Sequence, residues 1–214
     1  MRYILYAVFL LAIFYGLFLP GGSFVRNASK EGQAANDLLQ LVTAVEAYHT
    51  DYGVYPIDPA AHWTNRAMYD FPGGDHHNFE VVNVLRADTD QGPNSGIALN
   101  PREIVYLDVP SVKDNTHPKS GLGTSTTTNA LGINAPGEWY DPWGNPYLVA
   151  IDTTGKGISD LGFIYSDANL AAPNSIKPAA KVVCISLGPD GKPGHGGNGI
   201  FAGSDDVLRS GTMR

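Results

Sequence analysis

The sequence has one cysteine, Cys184, and therefore no intramolecular disulfide framework. Cys184 stands in the apolar run Val182-Val183-Cys184-Ile185, where a small buried residue is expected. Basic residues are also few. Lys and Arg total 14 against 21 Asp and Glu, a formal charge of -7. That balance argues against nucleic acid as a partner, because phosphate contacts need a basic surface. It also argues against a head lying on anionic lipid. No Gly-rich phosphate loop, nucleophile elbow or HExxH string is present. His117, Ser120 and the scattered aspartates show no spacing that links a nucleophile to a base, so an enzyme is not expected.

The long apolar run is confined to one end. Residues 3–25 carry no charge, and about 20 such residues cross a bilayer as a helix. Arg2 precedes the run; Arg26 and Lys30 follow it. Its length and the lack of an A-x-A site disfavour a cleaved signal peptide. A signal anchor and the apolar half of a longer helix both remain open. Pro20-Gly21-Gly22 marks either the end of a membrane helix or a weak point inside a longer one.

Beyond Ser29 the pattern becomes amphipathic. Leu38, Val42, Val45, His49 and Tyr52 recur at helical spacing, flanked by Leu41, Ala44 and Tyr48. Gly53 and Pro56 mark the end. His49 is expected at the border of helix and sheet. Residues 57–138 are rich in turns, with a short helix expected over 79–86 and a strand over 104–109. Asp75-His76-His77 invites a metal reading, but no partner ligands stand at metal-site spacing, so a solvated loop is expected. Strands are expected over 146–151, 162–166 and 181–186, joined by short turns and therefore antiparallel, with the helix at 36–52 as the cover of their apolar face. The glycine-rich stretch after them, flanked by Asp190, Asp205 and Asp206, has the donors for a hard cation such as calcium. The chain divides into an apolar helix (1–26), its amphipathic continuation (27–56), a variable loop-rich stretch (57–138), and a sheet with a C-terminal metal loop (139–214).

Taken in order, the apolar helix, the amphipathic helix, Tyr48-His49-Thr50-Asp51-Tyr52-Gly53-Val54-Tyr55-Pro56, Tyr140-Asp141-Pro142-Trp143-Gly144-Asn145-Pro146-Tyr147, Ser186-Leu187-Gly188-Pro189-Asp190-Gly191 and Asp205-Asp206-Val207 form a pattern. It resembles the major pseudopilin of type II secretion systems and related type IV pilin-like proteins, over residues 1–56 and 139–207. The resemblance implies an α+β fold: a long N-terminal helix, apolar then amphipathic, on a small antiparallel sheet, with a loop-rich head. It implies a calcium loop held by the Leu187 carbonyl and the carboxylates of Asp190, Asp205 and Asp206. It further implies a filament core built from Ile4, Leu5, Val8, Leu11, Ala12, Tyr15, Gly16, Leu19 and Pro20. Small residues at Ala12 and Gly16 suit close helix packing. With Pro20 matched to the family's proline, the family's glutamate position falls near Tyr3, so registry between subunits rests on apolar packing and on the heads. The implied life cycle starts as a single-pass bacterial inner-membrane protein with an extracytoplasmic head. It ends as a homo-oligomeric helical filament in the periplasm or at the cell surface, in the company of other pilin-like subunits and assembly machinery. The alternative is a monomeric, membrane-anchored binding module using Trp63, Trp139, Tyr140 and Trp143.

Overall fold

The computed structural model describes residues 21–57, 66–72, 74–90, 92–125, 127–129, 132–134, 136–158, 162, 164–166 and 180–211. The expected filament-core residues, Ile4 to Pro20, and Trp63 lie outside them.

Helix α1, Gly21–Tyr52, runs 32 residues, about 48 Å at 1.5 Å per residue. Its buried side chains are Ala34, Leu38, Leu41, Val42, Ala44, Val45 and Tyr48, the stripe that the helical spacing predicts. Gly53 ends it in the left-handed region, at φ 71°, with its N–H donated to the His49 carbonyl. A side chain is strained in that conformation, which is why glycine stands there. His49 packs against Tyr55 with the rings tilted at 36° and 4.4 Å between centroids.

The main sheet has four antiparallel strands: β1 (Arg66–Tyr69), β6 (Leu148–Asp152), β7 (Val182–Ser186) and β8 (Val207–Gly211), ordered β1-β6-β7-β8. Leu148 pairs with Ile185, and Ile185 with Leu208, so the three C-terminal strands form a meander. The remaining elements are α2 (Phe79–Leu85), a hairpin of β3 (Thr127–Asn129) and β4 (Gly132–Asn134), and a pair made by β2 (Gly121–Leu122) and β5 (Trp139–Tyr140). Among the described residues no helix is long and apolar enough to cross a membrane.

β6 and β7 are buried along their whole length, and the two cores explain it. One face carries Tyr147, Val149, Ile151, Val182 and Cys184 against α1 and α2. The other carries Leu148, Ala150, Val183 and Ile185 against Phe71, Ile158, Tyr165 and Leu187. The helix covers one face, as expected; loops cover the second. Cys184 is fully buried, and burial pushes its thiol well up from its ordinary pKa.

Two expected strands do not form. Residues 104–109 are extended but join no ladder; the N–H groups of Tyr106 and Leu107 go to the Leu85 carbonyl at the end of α2. The described part of 162–166 is turn, with the Ser166 N–H on the Gly199 carbonyl. The places beside β6 and β7 are taken by β1 and β8.

β8 runs close beneath α1. A Cβ on Gly211 would lie 2.3 Å from Glu46 Oε1 and 2.6 Å from Val42 Cγ1. Gly211→Ala must push helix and sheet apart and is expected to cost about 1–3 kcal/mol in urea unfolding. Gly32→Ala, with nothing within 4 Å of its new Cβ, is expected to gain up to about 1 kcal/mol.

Candidate functional site

Two strings of the sequence pattern, distant along the chain, meet in the fold. The Asp141 carboxylate is fully buried. Its Oδ1 accepts the N–H groups of Trp143 (2.8 Å), Gly144 (2.7 Å) and Asn145 (2.9 Å), which fixes the Asp-Pro-Trp-Gly-Asn turn. Its Oδ2 accepts the Ser186 hydroxyl at 2.6 Å. Asn145 donates its side-chain amide to the Gly188 carbonyl at 2.7 Å. The turn thus grips the Ser-Leu-Gly-Pro-Asp-Gly segment from the side. Burial raises the Asp141 pKa, and the four donors oppose that rise.

The segment leads into the C-terminal loop. Leu187 is buried and Gly188–Asp190 make one short 3-10 turn. Gly188 has φ 62°, and a Cβ there would lie 2.5 Å from the Asp205 carbonyl oxygen and 3.2 Å from Asp205 Oδ2. Glycine at this position lets the Ser204-Asp205-Asp206 segment pass directly over the turn. Asp206 Oδ2 accepts the Tyr165 hydroxyl and the Gly194 N–H, both at 2.7 Å. Asp190 is turned onto backbone, with Oδ1 on Lys192 N–H (2.9 Å) and Oδ2 on Gly196 N–H (2.6 Å). Asp205 Oδ1 and Asp206 Oδ1 are buried and accept no hydrogen bond; the former lies 3.9 Å from His195 Nδ1. Burial pushes the Asp206 carboxyl up, its hydrogen bonds oppose this, and the charges of Asp205 and Asp190 add to the rise. The four expected ligand residues lie along one loop, but the Asp190, Asp205 and Asp206 carboxylates do not all come within 4.8 Å of one another, and both Asp190 oxygens are taken by backbone amides.

A second cluster forms where a solvated loop is expected. His76 pairs with Glu80 at 2.9 Å, but His77 turns toward Asp70 and Glu138. Among the described residues, Asp70, His77 and Glu138 form the one set of three side chains whose ligand atoms all lie within 4.8 Å of one another. Both carboxylates raise the His77 pKa, to about 10, chiefly through the hydrogen bond to Asp70. Burial lifts the Asp70 carboxyl, against its hydrogen bonds from His77 and from the Asn78 N–H. The histidine pair is the one local signal for this cluster; Glu138 stands at the far end of the loop-rich stretch from Asp70 and His77, so no spacing in the sequence joins the three.

Of the aromatic residues considered for ligand binding, the three described ones have other uses. Trp139 and Tyr140 are buried, and Trp143 is half-buried with the Lys30 ammonium 5.7 Å from its ring centroid. Comparison of the chain with protein-family models, with curated proteins and with solved structures finds no match.

Proposed function

We propose that this chain is a structural subunit of a type IV pilin-like or type II secretion pseudopilus filament, assembled by bundling of its N-terminal helices. The observation that carries the reading is how α1 leaves the head. Residues 26–33 are solvent-facing apart from Lys30, and burial begins only at Ala34. About 12 Å of helix therefore stands clear of the head, on the side where the sequence continues into its uncharged run. This stretch is polar, so its exposure needs no cover; the uncharged run before it does, and neighbouring copies of the same helix supply that cover in a filament, as the inner membrane does before assembly. Other pilin-like subunits and the assembly machinery are the remaining partners.

Calcium has the role of ordering the C-terminal loop. The Leu187 carbonyl, Asp205 and Asp206 would hold it, with Asp190 completing the shell. The reading rests on the buried Asp205 Oδ1 and Asp206 Oδ1, which accept no hydrogen bond and are oxygen donors of the kind a hard divalent cation takes. An ordered loop here stiffens the cover on the second face of the sheet, where Leu187 and Tyr165 are seated.

The alternative, a monomeric anchored binding module, draws on one feature: a polar cavity of about 260 Å³ lined by Asn83, Arg86, Asp88, Asp90, Thr124 and Gly137 among others. Shearing cells that express the full chain and imaging the released material by electron microscopy, with calcium present, separates the two. Uniform thin filaments with residues 4–19 in their core are expected. Recovery of detergent-soluble monomers alone would favour the binding module.

A further inference from the structure

The Asp70–His77–Glu138 cluster lies far in sequence from the C-terminal loop and has a different donor chemistry. His77 Nδ1 is 3.0 Å from Asp70 Oδ1 and 3.6 Å from Glu138 Oε1. Donor atoms around a tetrahedral ion with bonds of about 2.0–2.1 Å stand about 3.3 Å apart, so one ring nitrogen already sits at ligand spacing from two carboxylates. The carboxylates are deeply buried, with side-chain exposures of 4% for Asp70 and 2% for Glu138; His77, at 43%, closes the cluster on the solvent side.

The fold holds all three rigidly. Asp70 lies just past β1, in the left-handed region at φ 60°, with its N–H on the His76 carbonyl at 2.8 Å. Asn78, fully buried, acts as a clamp between the His77 and Glu138 segments. It accepts the Trp139 N–H at 2.8 Å and donates to the carbonyls of Trp139 (3.0 Å) and Tyr147 (2.9 Å). The outer oxygens are also oriented. Asp70 Oδ2 accepts the Asn78 N–H at 2.6 Å, and Glu138 Oε2 accepts the Tyr140 hydroxyl at 2.7 Å. Each carboxylate thus has one oxygen tied back and one facing His77, the arrangement that outer-shell hydrogen bonds give to metal ligands.

We propose that Asp70, His77 and Glu138 form a binding site for a first-row divalent metal ion of the zinc class, which fastens the loop after β1 to the segment entering β5. The donor set suits it: a dication held by two carboxylates and a neutral imidazole is a neutral ensemble, and any proton on Nδ1 leaves to solvent as the metal binds. The imidazole donor selects against calcium and magnesium, which take oxygen ligands. His77's exposure leaves the fourth position to water.

The test is a titration of the untagged full chain in detergent micelles with Co2+ and then Zn2+, with calcium in excess throughout. One equivalent of Co2+ with visible bands of low-coordinate geometry is expected, displaced by Zn2+ and not by calcium. His77→Gln should weaken binding by at least ~10-fold and remove the rise in Tm that the metal gives. His76→Ala, Asp206→Asn and His195→Gln should leave both unchanged. Glu138→Gln should act as His77→Gln does; if that buried change unfolds the head, the half-exposed His77 variant decides, with near-ultraviolet circular dichroism as the check on folding. Absence of saturable Co2+ binding, or binding that survives His77→Gln, overturns the proposal.

Discussion

Asp141→Ala is expected to lower the stability of the head by about 3–5 kcal/mol, the largest single-residue effect on the sheet. The carboxylate accepts three backbone N–H groups on one oxygen and the Ser186 hydroxyl on the other, and it is fully buried. Alanine leaves those N–H groups desolvated with no acceptor. It also frees Ser186 at the end of β7 and loosens the grip of Asn145 on the Gly188 carbonyl. Asp141→Asn keeps one oxygen for the three amides and offers its own amide to Ser186 Oγ, so its cost is expected nearer 1–2 kcal/mol. Urea unfolding of the two variants checks the pair. Equal losses would show that the stabilisation comes from the charge and not from the turn that the carboxylate organises.

Calcium removal is expected to have the second largest effect. With calcium at about 100 times its dissociation constant, the loop contributes about 2.7 kcal/mol. Chelation should then lower Tm by about 5–10 °C, given roughly 2–4 °C per kcal/mol for a chain of this size. Asp206→Asn should abolish the response. Its amide oxygen can still accept the Tyr165 hydroxyl and the Gly194 N–H, so the variant should start near the chelated wild type, with an intact second face of the sheet. Asp190→Asn should reduce the response less, because both Asp190 oxygens are already occupied by backbone amides. A Tm indifferent to chelation would remove calcium from the account of this loop.

These effects sit in the parts of the chain whose local pattern is strongest. The stripe from Ala34 to Tyr48 determined α1, because side chains three and four residues apart share a helix face wherever the helix lies. Gly53 determined where it stops, because the left-handed cap excludes a Cβ at little cost only for glycine. The apolar, β-branched runs around Val149 and Val183 determined β6 and β7. The Asp-Pro-Trp-Gly-Asn string determined a turn that its own aspartate ties together.

Which segments lie beside those strands was a tertiary decision. Residues 104–109 have the composition of a strand and find no ladder, whereas Arg66–Tyr69 and Val207–Gly211, with weaker patterns, gain one. Strand formation needs a partner's N–H and C=O groups, and the chain's path decides which segment reaches them first. The unbroken apolar run of β7 likewise carries no sign of what covers its second face; loops bearing Tyr165 and Leu187 do. The Asp70–His77–Glu138 cluster is the extreme case. Its members have no shared periodicity, and the buried Asn78, bonded across to Trp139, helps bring histidine and glutamate within reach of one another. Local propensity acts over a few residues, so the sequence by itself determined the elements that carry their own periodicity. Charge pairing and ladder bonding act across whatever the fold makes adjacent, so the tertiary structure alone decided the edges of the sheet and the composition of this cluster.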